Sequence, residues 1–517
     1  MAPIDVLDVQ AGIEEGLGRM DRARPVPDPE RDERVRRATE SLDAFRAQYL
    51  PEYFTDEPAP CHRDVDRAID EHEYLAIAEG REHGKSTRHT RSRALQEAAT
   101  NKVQYILIVR RDLSDVKASI LWLRAQFEEN AALRRDFGDL TGGQPWTDTE
   151  FVLSNGVKVE GVTMGEPIMG KLWGPYRPGR IYVDDPQTMA DVSSELIREQ
   201  HKGWLEHQAA PALAQGGKLI LCQNVIHEDC LMAYCQKNPM FFARVYDCII
   251  AEPKRQDLWE QWEALYRLEH TDEDRHELAD AFYAEHETEM NEGVELLWAS
   301  HWTYVALMKK KILVGVIVFY TQYRNRPYTG DRAKYLAWCA ASDVPADAER
   351  IEGFDLASSQ AATSAKFAMA RIAVTAAGAV YVEFAYEDRM SFAQQLLMVT
   401  ESPHPMLTAR VIETNAYQAV LADTGKETSL AGGAVIVSHH TSLVPSLRAI
   451  KLWLLMENGK MKFVCGNPAV AKLAQQVCSY RDGHMPDLMS ALELGIDHAL
   501  QHADDGPALV PLGDVMP

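Results

Sequence analysis

Four short apolar runs punctuate the first half of the chain: Tyr74–Ala78, Tyr105–Val109, Ile181–Val183 and Leu219–Leu221. Each has the length of a buried strand, and helix-spaced polar sequence separates most of them. Residues 151–160 read as a hairpin strand followed by a turn, and a long helical stretch is expected through residue 137. Strands alternating with helices predict an α/β domain with a mostly parallel sheet. Upstream, Val35, Ala38, Leu42, Phe45 and Tyr49 recur at steps of three and four, the apolar face of one amphipathic helix. Residues 252–300 are polar and helix-rich. The longest apolar run, Ile312–Tyr320, falls far short of the ~20 residues a membrane helix needs and reads as a buried strand.

Past a polar connector at 330–348 the pattern changes. Gly353–Ala357 opens a strand. Ala370–Thr375 and Val380–Ala385 lie too close together for a helical crossover, so an antiparallel hairpin is expected. A further strand at Ala409–Ile412 follows helical sequence. The chain therefore divides into a helical segment at 1–50, an α/β domain at 51–335, a mixed-sheet domain at 345–500 and a Pro- and Gly-containing tail at 501–517.

The clearest chemistry lies just after the first strand. The segment Glu79-Gly-Arg-Glu-His-Gly-Lys-Ser-Thr87 sits between a strand and a helix, the setting of a phosphate loop. Backbone N–H groups at Gly80, Gly84 and Thr87 face phosphate oxygens in such a loop. Lys85 reaches the β- and γ-phosphates of ATP, and the Ser86 hydroxyl ligates Mg²⁺. The usual first glycine is replaced by Glu79, and Arg81 adds a second cation that can stabilise charge in transfer. A surface turn carrying Gly-Lys-Ser by chance is the alternative. Arg180-Ile-Tyr-Val-Asp-Asp185 supplies the carboxylates the loop needs: Asp184 for the metal, Asp185 for the attacking water. An acidic turn after a strand is the alternative there. Leu219-Ile-Leu-Cys-Gln-Asn224 ends in amides, and Asn224 is a candidate γ-phosphate contact that passes the signal on. A buried strand with polar ends fits equally well.

The second half carries three spaced acids. Asp355 lies within a strand, where an aspartate is disfavoured and needs a reason. Glu413 ends an apolar strand, and Asp487 opens a helix after Pro486. Three such acids can hold two divalent ions, Mg²⁺ or Mn²⁺, for phosphodiester cleavage. An early-helix acid and a strand-end charge are the plain alternatives.

Composition narrows the partners. The 517 residues carry a net charge of −23, which argues against a broad DNA-coating surface but leaves room for a local basic stripe. Arg88, Arg91 and Arg93, and Lys309 to Lys311, are candidates for such a stripe, or for solvated and subunit-interface charge. The eight cysteines form no Cys-x-x-Cys pair, as in a reducing cytoplasm. Cys222, His227, Cys230 and Cys235 cluster, but at no common zinc spacing. The first residues are acidic where a secretion signal is basic, so no secretion signal is expected.

Taken in order, Gly80 to Ser86, Ile181 to Asp185, Leu219 to Asn224, Gly353 to Ala357 and Ile412 to Asn415 resemble the large terminase subunit of tailed bacteriophages. Phe319 to Pro327 looks like the stretch preceding that family's nuclease. The resemblance spans roughly residues 45–495. It implies a P-loop ATPase followed by an RNase H-like nuclease domain, a motor subunit that drives double-stranded DNA into a procapsid and cuts concatemers. It implies ATP and Mg²⁺ at the first site, Mg²⁺ or Mn²⁺ at the second. It implies portal protein and small terminase subunit as partners, a homo-oligomeric ring, and work in the host cytoplasm, transiently at the portal, with no membrane. Arg81, Lys85, Ser86, Asp184 and Asp185 match the ATPase positions, and Asp355 and Glu413 the first two nuclease acids. Asp487 matches the third loosely, because the family often carries Asp-Asp there and another Asp before Ala-Leu, where this chain has Ser490. Gln223-Asn224 stands where Gly-Thr is frequent. A DNA translocase or helicase-like repair protein without nuclease activity, and a scaffold with a degenerate ATPase, remain open on the residues alone.

Overall fold

The first-half apolar runs alternate their side chains between two cores, as strands covered on both faces must. In β1 (Tyr74–Ala78), Leu75 and Ile77 enter one core while Ala76 and Ala78 enter the other. The same split divides β2 (Tyr105–Arg110), β5 (Arg180–Asp184) and β6 (Lys218–Cys222). With β3 (Glu150–Val152), β4 (Lys158–Thr163) and β7 (Phe242–Val245) they form a seven-stranded sheet in the order β3-β4-β2-β5-β6-β1-β7. Every pairing is parallel except the β3–β4 hairpin. The computed structural model describes residues 28–267 except 29, then 272–327, 332–356, 366–400, 407–413, 435–439, 445–481 and 483–501. Ala357 of the Gly353–Ala357 motif and Asn415 of the Ile412–Asn415 motif lie outside them, as do residues 1–27 and 29 of the expected 1–50 segment and the tail beyond residue 501.

Two expectations about helices change. The amphipathic stretch near the start is not one helix but two, Arg31–Glu40 and Leu42–Tyr49. Ser41 is extended at φ −127° and its Oγ accepts from the Ala44 N–H at 3.2 Å, so a capping residue breaks the run. The Ile312–Tyr320 run is helical, not a strand: it falls across Tyr304–Val314, Val316–Val318 and Phe319–Tyr323. A short apolar run fits a buried strand and a buried helix equally well, and the Thr303 N-cap ahead of it was the overlooked signal.

Two short strands, β8 (Ile249–Ala251) and β9 (Glu295–Leu296), pair antiparallel by themselves, and the second large sheet is mixed. Its strands are β10 (Ala337–Cys339), β11 (Glu349–Asp355), β12 (Phe367–Val374), β13 (Val380–Asp388), β14 (Leu407–Glu413), β15 (Val435–His439) and β16 (Met461–Val464). The order is β10-β16-β13-β12-β11-β14-β15. β12 and β13 form the antiparallel hairpin their spacing predicted, β11 pairs antiparallel with β12 to make a meander, and β14 and β15 run parallel to β11. A three-strand meander flanked by two parallel strands is the RNase H-like arrangement.

The helix Asp487–Gln501 lies directly on β11. A Cβ on Gly353 would fall 2.0 Å from the Ala491 carbonyl oxygen, so only glycine admits the helix at that depth. Gly353→Ala is expected to destabilise this half by about 1–3 kcal/mol, the usual cost of overpacking. Thermal unfolding checks it: an unchanged profile would show that the helix packs elsewhere.

The helices between the sheets share a core with the second sheet. Trp262, Leu307, Val318 and Phe319 belong to the same buried cluster as Ile351, Leu452 and Leu488. The Glu457 carboxylate accepts the Val316 N–H at 2.8 Å.

Candidate functional site

The carboxyl end of β1 delivers the chain into Glu79–Thr87. Glu82 (φ 62°) and Gly84 (φ 83°) adopt left-handed backbone, which folds the loop back so that Lys85 leads into a helix. A π-type turn over Ser86–Arg91 continues as the helix Ser92–Ala99. Gly80 meets a different constraint: a Cβ there would sit 2.5 Å from the Tyr323 carbonyl oxygen. Thr87 is half-buried in the first turn.

Lys85 and Ser86 find the acids expected for them. Ser86 Oγ donates to Asp184 Oδ1 at 2.8 Å, and Lys85 Nζ lies 3.0 Å from an Asp185 carboxylate oxygen. Burial raises the Asp184 carboxyl above the ordinary carboxylate range against the pull of Arg110, and Asp185 adds to the rise. Asp185 holds φ at 46°, a strained value of about 1–3 kcal/mol for a residue with a side chain, while its N–H donates to the Cys222 carbonyl at 2.8 Å. Hard oxygen donors with a buried carboxylate suit Mg²⁺.

β6 lies between β1 and β5, so Asp184 and Asp185 stand on a strand that is not the direct neighbour of β1. The inserted strand brings Asn224 to the loop. Lys85 Nζ donates to Asn224 Oδ1 at 2.7 Å, and Asn224 Nδ2 lies 2.8 Å from the Glu79 carbonyl oxygen, 2.6 Å from that of Gln322 and 2.9 Å from Asn325 Oδ1. Arg81 bonds the same segment: its N–H donates to the Gln322 carbonyl at 2.7 Å and its guanidinium to Gln322 Oε1 at 2.8 Å. Tyr323 Oη donates to Glu82 at 2.8 Å. Gln322, Tyr323 and Asn325 were read only as part of the stretch ahead of the second domain; amides following directly on the apolar run Ile312–Tyr320 were the available signal.

Glu79, the residue in place of the first glycine, does not face the loop's mouth. It is fully buried, and its Oε1 lies 3.0 Å from His89 Nε2 on the following helix. His89 Nδ1 lies 3.3 Å from Asp66 Oδ1, which also accepts from Arg46 at 3.1 Å. Both ring nitrogens face carboxylates, so both donate and the ring is an imidazolium. Burial works against that charge, but Glu79 and Asp66 hold the His89 pKa above its ordinary 6.5. A raised pKa contributes stability in full below 6.5 and loses it as pH climbs through the folded value. The denaturation midpoint of the parent is therefore expected to fall toward that of His89→Gln as pH rises above neutrality. A constant gap across pH 6–10 would exclude the imidazolium.

Among the described residues, the grouping with metal-ligand spacing is Cys61, His62 and Glu79, one atom from each within 4.8 Å. Both His62 nitrogens are engaged, Nδ1 accepting the Ala59 N–H at 3.1 Å and Nε2 donating to the His83 carbonyl at 3.0 Å, so the ring has no lone pair for an ion. Of the cysteine cluster, Cys222 packs on one face of the sheet and Cys230 and Cys235 on the other.

The basic runs are engaged within the chain. Arg88 and Arg93 are buried, and Arg93 pairs with Asp70 at 2.6 Å. Arg91 lies over the Trp122 ring at 5.8 Å. Lys309, Lys310 and Lys311 pair with Asp280, Glu82 and Glu263 at 2.9, 2.9 and 2.8 Å.

In the second sheet, Asp355 ends β11, Glu413 ends the adjacent β14 and Asp487 opens the helix lying on β11. The three acids thus lie at the shared carboxyl end of two interior parallel strands. Burial pushes the Asp355 carboxyl up to about 7, and Asp487 and then Glu413 add to it. Ser490 hydrogen-bonds Asp355 and lowers it, as does Arg448 more weakly. Arg448 donates to Ser490 Oγ at 3.0 Å and to Glu493 at 2.7 Å. Asp487 Oδ2 accepts the Lys366 N–H at 2.9 Å. The three acids are not gathered within 4.8 Å as one ion would need; two ions ~4 Å apart draw on a wider set. Ser490 entered the sequence reading only as the residue standing where the resemblance expects an aspartate, and Arg448 escaped it, since nothing in its spacing marks it.

Sheet order and sites together define an α/β chain in which a phosphate-loop sheet precedes an RNase H-like mixed sheet. Among solved structures, the chain is similar to the large terminase of a thermophilic bacteriophage, at 9% identity over 86% of this chain and 99% of that one, with a TM-score of 0.47. It is similar to the bacteriophage HK97 large terminase at 13% identity over 89% and 99%, with a TM-score of 0.33. The human cytomegalovirus terminase nuclease domain matches at 12% identity over 32% of this chain and 91% of that domain, with a TM-score of 0.24. No family model and no curated protein matches the sequence. Likenesses this distant carry no residue's role across.

Proposed function

We propose that this chain is an ATP-driven motor subunit of the large-terminase type, which moves double-stranded DNA into a procapsid and cuts it with a second, metal-dependent site. The carrying observation is the pairing, in one chain, of a Lys85–Ser86 loop bonded to Asp184 and Asp185 with three acids converging on an RNase H-like sheet. A translocase lacking nuclease activity has no use for the second set.

In this reading Lys85 and the loop amides at Gly80, Gly84 and Thr87 hold the phosphates of ATP. Ser86 and Asp184 would hold Mg²⁺, which when bound neutralises charge on the β- and γ-phosphates. Asp185, half-exposed beside Lys85, orients the attacking water and takes its proton. Arg81 stabilises charge developing on the transferred group. Asn224, bonded to both Lys85 and the Gln322–Asn325 segment, links the phosphate site to helices that share the second sheet's core. Asp355, Glu413 and Asp487 would hold Mg²⁺ or Mn²⁺ for strand cleavage. The division at 51–335 and 345–500 assigns one chemistry to each part. Portal protein, small terminase subunit, a ring of copies and the host cytoplasm complete the proposal.

The test is a pair of assays on the full chain. Mg²⁺-dependent ATP hydrolysis and Mn²⁺-dependent cleavage of double-stranded DNA are both expected. Hydrolysis without cleavage would leave the translocase reading; nucleotide binding with neither would leave the scaffold.

A further inference from the structure

Asp184 has two carboxylate oxygens, and only one is explained by the phosphate loop. Oδ1 accepts from Ser86; Oδ2 is bonded by the guanidinium of Arg110. Arg110 is the last residue of β2, which pairs with β5 in parallel register, Val109 opposite Val183, so Arg110 lies across from Asp184. The contact is thus set by strand register and not by a loop. Asp184 is 1% exposed and stands next to a second carboxylate, Asp185, whose own cation is Lys85. A buried carboxylate beside a like charge needs a compensating cation. A guanidinium keeps its charge at every working pH. Arg110 also retains a buried Nε with no hydrogen-bond partner among the described residues, so its geometry serves the Asp184 contact before its own satisfaction.

We propose that Arg110 is the stand-in cation of the phosphate-loop site: it neutralises Asp184 when no divalent ion is bound, and competes with that ion for the same carboxylate. The inference rests on Ser86 and Asp184 being the metal ligands. Its consequence is regulatory. The empty site stays folded and charge-balanced, and ion binding is weakened in proportion to the time the arginine holds the carboxylate. Releasing Arg110 then frees a fixed positive charge beside the phosphates, near Arg91, only in the loaded state.

The experiment uses the full chain carrying Asp355→Asn and Glu413→Gln, so that Mn²⁺ reports on the first site alone. Mn²⁺ is titrated with ADP present and free ion is read by electron paramagnetic resonance; melting temperature is measured in EDTA and in saturating Mn²⁺. Arg110→Met is expected to lower the Mn²⁺ half-saturation by about tenfold. It should lower the melting temperature in EDTA but not in Mn²⁺. Arg110→Lys, which keeps a charge with fewer donors, should fall between and guards against a misfolded methionine variant. Unchanged or weaker Mn²⁺ binding in both variants, or an equal loss of melting temperature with and without the ion, overturns the proposal. Ser86→Ala and Asp184→Asn separate the two readings. If neither weakens Mn²⁺ binding, the assignment of the metal ligands fails. If both do and Arg110→Met does not tighten it, only the stand-in role fails.

Discussion

Lys85→Ala is expected to cut ATP turnover by about 10²–10³-fold, the usual cost of removing one group that stabilises developing charge. The ammonium holds two partners at once, Asn224 at 2.7 Å and Asp185 at 3.0 Å. Its loss therefore removes the proposed phosphate contact and frees the Asp185 carboxylate in the same stroke. Arginine should not rescue it, because a planar fork cannot replace a point charge in a slot shaped for an ammonium. DNA cleavage in Mn²⁺ should survive the change, because the second acid set lies on another sheet. Steady-state phosphate release measures the first outcome. Turnover within a factor of two of the parent would remove the phosphate loop from the mechanism.

The second large effect concerns the other sheet. Asp355→Asn and Glu413→Gln are each expected to reduce Mn²⁺-dependent cleavage at least about 100-fold, a barrier increase of about 2.7 kcal/mol, with ATP hydrolysis intact. The pH dependence carries its own sign. With its pKa near 7, Asp355 is largely protonated in mild acid, and an ion must displace that proton. Apparent metal affinity should rise from pH 5 toward pH 7 and level off above it. Ser490→Ala removes a hydrogen bond that lowers Asp355, so it should shift this profile toward higher pH. A flat profile in the parent, or cleavage that persists in both carboxylate variants, would place the chemistry elsewhere.

Much of this arrangement was legible because periodicity and short motifs are local. Alternating burial in β1, β2, β5 and β6 follows from runs of five or six residues. Lys85, Ser86, Asp184 and Asp185 were found by their position after apolar strands. The Gly353-Phe-Asp355 motif also had its reason in the structure, a helix backbone lying on the glycine. What escaped was set by partners distant in sequence. Nothing near Glu79 announces His89 as its partner or Asp66 as that histidine's second one, and nothing near Arg110 announces Asp184, 74 positions on. The insertion of β6 between β1 and β5 is likewise a fact of sheet order. The lysines at 309–311 looked like a surface charge run because their acids, Asp280, Glu82 and Glu263, lie elsewhere in the chain.

The glycine at position 315 has a consequence for anyone wishing to study the halves apart. It lets the backbone run so close to the helix Pro445–Glu457 that an added Cβ would meet Leu454 at 3.0 Å, and the next N–H is capped by Glu457. A fragment beginning at residue 345 would keep its three acids but bare that helix face to water, with Glu457 stripped of its donor. Such a truncation should aggregate or bind hydrophobic dyes unless it starts upstream of Thr303, so the useful cut for a free-standing second half lies well before the sheet that carries its three acids.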